Sequence, residues 1–110
     1  MNAELDVSVR IVNYNTKDVI HNCLKSIYEH TKEITFEVIV SDNGSNDGSI
    51  EMIKLYFPQV VLIENNSNLG FGAANNRGFS LAKGKYIFYL NSDTMLNNNT
   101  VKFFWLLGTL

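Results

Sequence analysis

Four polar stretches, NYNT (13–16), SDNGSNDGS (41–49), ENNSNLGFG (64–72) and NSDT (91–94), hold the side chains best suited to chemistry. They are rich in carboxylates and amides. A hard divalent cation such as Mg2+ or Mn2+ takes oxygen donors, and needs only one or two protein carboxylates when substrate phosphates and water complete its shell. Asp93 offers a charged oxygen and Asn91 an amide oxygen, and their spacing at a strand end can turn both toward one side. The stretch permits a metal held mainly by Asp93 and the diphosphate of a ligand. An Asx turn is the other reading of Asp93 taken alone. Asp42 can accept hydrogen bonds from the NH groups of a base, and Asn43 can both donate and accept. For Asp42, ligand contact and a turn role are both open. Ser45, Asn46 and Asp47 read as caps for the helix that follows, with Gly44 and Gly48 relieving backbone strain.

Other chemistries lack their residues. His21 and His30 lie in a helical segment, and the intervals among histidine, cysteine and acidic residues make no zinc site. There is no GxSxG nucleophile elbow and no GxxxxGK[ST] phosphate loop. Gly70, Gly72 and Gly78 do not form GxGxxG and follow the third strand, which argues against a nicotinamide cofactor. Gly70 suits a turn into a helix, Asn76 a link between loops, and Arg77 either a phosphate or solvent. No general base stands out beside the polar stretches.

The elements that position these residues follow from periodicity. Apolar runs at 7–15, 36–41, 60–64 and 85–90 read as strands. Helical stripes fall at 16–30 and around Ile50, Ile53 and Phe57, the latter ended by Pro58. A third helix is expected from Phe71 to Lys83 with Gly84 as its C-cap, and a last one from near Asn98. Asn15 is the expected cap of the first helix, with Asp18 as a weak capping box. Strands this continuously apolar belong in a parallel sheet covered on both faces. The expectation is α/β: an open, doubly wound, mostly parallel sheet with helices on both faces. Such sheets bind ligands beyond the carboxyl ends of their strands, where strand order reverses. All four polar stretches fall at that edge, so Asp42, Asn43 and Asp93 are expected to line one cleft.

Composition sets the outer limits. The chain has 110 residues, 45% hydrophobic and 18% charged, which is globular and too weakly charged for disorder. A net charge of -2 gives no reason to expect nucleic acid as a partner. Cys23, the single cysteine, falls on an apolar helix face and reads as a small buried hydrophobe. No apolar run approaches the roughly 18 residues of a membrane span, and no signal peptide precedes the first strand. These features point to the cytoplasm. The segment VKFFWLLGTL is the most apolar stretch and needs a partner surface. A short core helix is the first reading of it, a membrane-surface contact the second.

The ordered set VSVRIVNYNT, FEVIVSDNGSNDGS, NLGFGAANNRG and LAKGKYIFYLNSDT resembles the N-terminal half of glycosyltransferase family 2 proteins, whose fold is called GT-A. It is closest to the rhamnosyltransferase-like subgroup. The resemblance implies that residues 1–110 form the donor-nucleotide-binding part of a single GT-A domain. It implies transfer of a sugar from a UDP-, GDP- or dTDP-linked donor to a glycan or lipid-linked acceptor with inversion. Val12, Asn13 and Tyr14 would border the nucleotide, and Asp42 with Asn43 would contact base or ribose. Asn68, Gly70 and Asn76 would shape the nucleotide side of the cleft. Asp93 would contact ribose and a Mg2+ or Mn2+ ion, as the retained carboxylate of a DxD-type motif. Asn91 stands where many members have aspartate. The subgroup often reads NPD there, and Ser92 replaces that proline. The catalytic base would lie beyond Leu110, leaving the chain alone inactive. The full-length protein would be cytoplasmic, with peripheral association at the inner face of the membrane. The alternatives are a non-catalytic nucleotide-binding or interaction domain of the same fold, and a sugar nucleotidylyltransferase. The second lacks its glycine-rich loop, since NYNTKD contains no glycine.

Overall fold

The structure, a computed structural model, describes residues 5–65 and 81–109. Four strands, β1 (Leu5–Asn13), β2 (Phe36–Asp42), β3 (Val61–Glu64) and β4 (Gly84–Tyr89), form one parallel sheet in the order β3-β2-β1-β4. The helices are α1 (Lys17–His30), α2 (Ser49–Tyr56) and α3 (Thr100–Gly108). The expected α/β architecture, a parallel sheet flanked by helices, is the one observed. The expected helix at 71–83 falls almost wholly outside the described residues, as do Asn68, Gly70, Asn76 and Arg77.

Register explains the core. Val7, Val9 and Ile11 of β1 pair with Phe36, Val38 and Val40 of β2, placing these side chains on one face. Ile20, Cys23, Leu24 and Ile27 of α1 and Met52 and Ile53 of α2 pack there, joined by Val101 of α3. Full burial of one such side chain contributes about 1.5–3 kcal/mol, so this seam outweighs any single polar contact. Tyr28 stacks between Phe36 and Phe57, and burial raises its phenol pKa well above the usual value. Cys23 is fully buried, as its helical position implied. Burial first, and then the Asp93 carboxylate, push its thiol pKa up to about 12.

Three expectations change. Gly84 is the first residue of β4 and not a helix C-cap. A Cβ there would lie 2.3 Å from the Ser8 backbone nitrogen, so the glycine permits β4 to approach β1. The Gly84 N–H donates to Ser8 Oγ at 2.6 Å. Ser8 Oγ donates in turn to Glu37 Oε2, which also accepts from the Lys83 N–H. The cap of α1 is Thr16, not Asn15, and it makes no side-chain capping bond. Finally, α3 is no core helix: only Val101 is buried, while Phe103, Phe104, Leu106 and Leu107 are about half exposed. Among the described residues no helix is long and apolar enough to cross a membrane.

Candidate functional site at the β1–β4 switch

The chain runs β1, β2, β3 in one direction across the sheet and then returns to place β4 on the other side of β1. Strand order therefore reverses between β1 and β4, and a crevice opens beyond their carboxyl ends. A cleft of about 440 Å³ lies there, lined by Val12, Tyr14, Thr16, Val19, Tyr89, Asn91, Ser92 and Asp93. Of the sequence-predicted residues, the structure brings together Val12, Tyr14, Asn91 and Asp93. Asn13, Asp42 and Asn43 do not line this cleft; they are buried beside it.

Asp93 sits in a turn closed by the Thr94 N–H donating to the Asn91 carbonyl at 3.0 Å. That turn is pinned from both sides. Leu90 N–H donates to the Arg10 carbonyl at 2.9 Å, extending the β1–β4 ladder one residue past the strand. Downstream, Leu96 N–H donates to Ser26 Oγ, and Asn99 exchanges two hydrogen bonds with the Lys32 backbone. The loop is thus anchored on α1 through Ser26 and on the segment just after it through Lys32, while Asp93 stays exposed. The Tyr89 hydroxyl donates to Asn91 Oδ1 at 3.1 Å. Burial raises the Tyr89 pKa, Arg10 opposes the rise, and Asp93 adds to it.

The donor set suits one kind of divalent site only. Among the described residues Asp93 is the one carboxylate lining the cleft, and no group of three or more His, Cys, Asp or Glu could hold a metal. One exposed carboxylate with a neighbouring amide oxygen does not make a resident metal centre. It does fit an Mg2+ or Mn2+ ion whose other ligands are diphosphate oxygens and water.

On the far side of β1, Asp42 builds the site from beneath. Its side chain is 0% exposed. Oδ1 accepts from Asn13 Nδ2 (2.7 Å) and Ser45 Oγ (2.7 Å), and Oδ2 from the N–H groups of Gly44 (3.0 Å) and Ser45 (2.8 Å). Four donors saturate the carboxylate, so in this structure it offers no surface to a base or ribose. Asn13 Oδ1 accepts from Thr16 Oγ1 at 2.5 Å, linking the network to the start of α1. Asn43 is 3% exposed, and its Oδ1 accepts from Asn65 Nδ2 at 3.0 Å.

Asp47 joins two helices. Oδ2 accepts from the Lys17 N–H of α1 at 3.0 Å and Oδ1 from the Ser49 N–H of α2 at 3.0 Å, with the Ser49 hydroxyl as a further donor. The cap of α2 is Gly48, not Ser45, Asn46 or Asp47; Asp47 instead holds the Ser49 N–H from the position before the cap, and the bond to α1 is additional. Burial works to raise its pKa, yet these hydrogen bonds outweigh it and the net shift is downward.

Sequence reasoning missed Ser45 as a hub, Tyr89, Thr16 and Val19. Tyr89 and Asn91 lie two apart at a strand end, which was a usable signal for a shared side. Ser45 gave only its turn chemistry.

Comparisons with known proteins agree with this architecture. Residues 8–103 match the family described as Glycosyl transferase family 2. The chain is 35% identical over 96 residues to the uncharacterized glycosyltransferase YibD of Escherichia coli (strain K12), covering 84% of this chain and 27% of that protein. It is 34% identical over 103 residues to the poly(ribitol-phosphate) beta-glucosyltransferase of Bacillus spizizenii, covering 88% and 16%. Among solved structures, S. aureus TarS 1-349 in complex with UDP-GlcNAc superposes with a TM-score of 0.78 at 25% identity, over 89% of this chain and 29% of that one. The chain thus spans less than a third of the length of each.

Proposed function

The chain belongs to glycosyl transferase family 2, and from that premise we propose that its full-length protein moves a sugar from a UDP-, GDP- or dTDP-linked donor to a hydroxyl of a glycan or lipid-linked acceptor, with inversion. The observation that carries this reading is the cleft at the β1–β4 switch, where Val12 and Tyr14 face Tyr89, Asn91 and Asp93. It supports a donor nucleotide held between the two strand ends. Asn13, Asp42 and Asn43 serve it from below by fixing the backbone of the first strand end. The UDP-GlcNAc bound by the similar TarS structure supports the same donor class. Asn68, Gly70 and Asn76 remain assigned to the nucleotide side by their place in the motif. The assignment to the rhamnosyltransferase-like subgroup rests on the ordered motifs; Asn91 is compatible with its NPD form, from which Ser92 departs.

The chemistry asked of these residues is binding and orientation. Departure of a nucleoside diphosphate builds negative charge on phosphate oxygens, and a divalent cation, when bound, stabilises that charge as a Lewis acid. Asp93, with the amide oxygen of Asn91, would hold the cation in this chain. Inversion needs a base on the opposite face of the sugar to take the acceptor proton. Asp93 lies on the donor side, so the reading assigns that base to a part of the protein outside these residues. The protein would work in the cytoplasm, with peripheral contact at the membrane where its acceptor is lipid-linked.

Calorimetric titration with UDP, GDP and dTDP, each with Mn2+ and again with chelator, tests the reading. One nucleotide should bind with Mn2+ and lose most of its affinity with chelator, and Asp93→Ala should abolish the difference. Absence of binding by all three, or unchanged metal dependence in Asp93→Ala, would overturn the assignment.

A further inference from the structure

Tyr14, 48% exposed, is the more exposed of the two large hydrophobics Tyr14 and Val19 at the cleft, and both of its chain neighbours are tied to the loop after β2. Asn13 donates through Nδ2 to Asp42 Oδ1 and to Ser45 Oγ (3.2 Å). Asn15 donates its N–H to the same Ser45 Oγ at 2.9 Å, and its own Oδ1 accepts from the Asn46 N–H at 2.8 Å. Asn15 holds φ at 51°, a left-handed conformation that asparagine enters more readily than other non-glycine residues and that the bonds to Ser45 and Asn46 hold here. That bend turns the chain from β1 into α1 immediately after Tyr14.

Ser45 Oγ is the atom on which the ties of Asn13 and Asn15 meet. It donates to Asp42 Oδ1 and accepts from Asn13 and Asn15, so its single proton and both lone pairs are used. A side chain needed only to close the 42–45 turn would require the first bond alone. The two bonds to the strand end of β1 reach across about 30 residues of sequence to the cleft.

We propose that Ser45 is a positioning residue for the cleft: through the Asn15 N–H it fixes the left-handed bend that presents Tyr14 to the bound nucleotide. The ligand part of this inference rests on the proposed nucleotide site; the positioning part does not. Ser45→Ala removes the shared acceptor, and loss of one such hydrogen bond should weaken nucleotide binding about threefold to tenfold. Ser45→Thr keeps the hydroxyl and should restore affinity.

The experiment places 3-fluorotyrosine at position 14 and records its 19F signal without ligand, then titrates UDP, GDP and dTDP with Mn2+. It is run at a temperature where circular dichroism shows every variant folded. Ser45→Ala should shift or broaden the Tyr14 signal and weaken binding, and Ser45→Thr should recover both. Asn15→Val, which leaves Ser45 in place but disfavours positive φ and removes the Asn46 bond, should likewise shift or broaden the Tyr14 signal relative to the parent, and keeps the bend testable if Ser45→Ala fails to fold. An unmoved Tyr14 signal in Ser45→Ala or in Asn15→Val overturns the positioning role, as does an unchanged nucleotide affinity in a folded Ser45→Ala. If the parent chain binds no nucleotide, the donor-site reading fails, and the ligand-free Tyr14 signal still decides whether Ser45 sets the bend.

Discussion

Replacing Asp42 by alanine and by asparagine should give two very different stabilities, because the network around it can be rewired for one change and not the other. In Asp42→Ala, the Asn13 amide, the Ser45 hydroxyl and the N–H groups of Gly44 and Ser45 all lose their acceptor. Hydrogen bonds to a charged group contribute about 1.5–3 kcal/mol each. Ser45 Oγ keeps other partners and water can reach the half-buried turn, so the whole loss should be about 3–5 kcal/mol. That is a large share of the roughly 5–15 kcal/mol that holds a domain folded. In Asp42→Asn, the side-chain carbonyl oxygen can keep the two backbone donors while the new NH2 takes the place of Oδ1. The Asn13 amide then flips, accepting from that NH2 and donating to Thr16 Oγ1, which becomes an acceptor. Ser45 Oγ also accepts from the new NH2 and turns its proton to the Asn13 oxygen. Every polar heavy atom keeps a partner, while the Thr16 proton and one Asn13 N–H lose theirs along with the charge assistance, for a cost of about 1–2 kcal/mol. Urea denaturation followed by circular dichroism at pH 7 reads this directly. With a slope of about 2 kcal/mol/M, the midpoint should fall by about 2 M in Asp42→Ala and by less than about 1 M in Asp42→Asn. Equal losses in the two variants, or a loss below about 1 kcal/mol in Asp42→Ala, would refute the network argument.

Two further outcomes follow from the same geometry. Asp47→Ala removes an acceptor from the first turns of both α1 and α2, and should cost about 1–2 kcal/mol at pH 7. The folded-state pKa of Asp47 is lowered, so its contribution is present above the unfolded value of about 4 and is lost as pH falls through the folded value. The gap between the urea midpoints of parent and variant should therefore begin to narrow as pH falls below about 4 and keep narrowing toward the lower folded value, and a gap that stays constant from pH 7 down through this range would show that the carboxylate charge is not the source. Gly84→Ala places a methyl 2.3 Å from the Ser8 nitrogen and 2.5 Å from the Val7 carbonyl carbon, so β4 must move away from β1. A loss of about 1–3 kcal/mol or more is expected, and an unchanged melting temperature would contradict the close approach.

Much of this protein could be read from its residues in order. The period of apolar residues fixes strand or helix locally, and continuous strands such as VSVRIV need cover on two faces, which calls for a parallel sheet. Parallel strands align their carboxyl ends, so the polar stretches at 13–16, 41–49 and 91–94 had to share one edge. Asp93 and Asn91 were legible as a pair for that reason. What lay beyond reach was the division of labour along the edge.

Asp42 and Asp93 are both carboxylates at or just past a strand end, and nothing local separates them. The tertiary structure does, because Asp42 lies on a central strand with Asn13 and Ser45 delivered against it, while Asp93 sits in a turn at the switch point with its side chain in solvent. Gly84 likewise carries no local sign that the β1 backbone occupies the space a Cβ would need. The apolar face of α3 could be read, but not that most of it is left uncovered by the described residues. Periodicity is a property of neighbours in sequence and was determined by the sequence alone. Which donors converge on a given carboxylate depends on segments about 30 residues apart, and only the assembled sheet decided that.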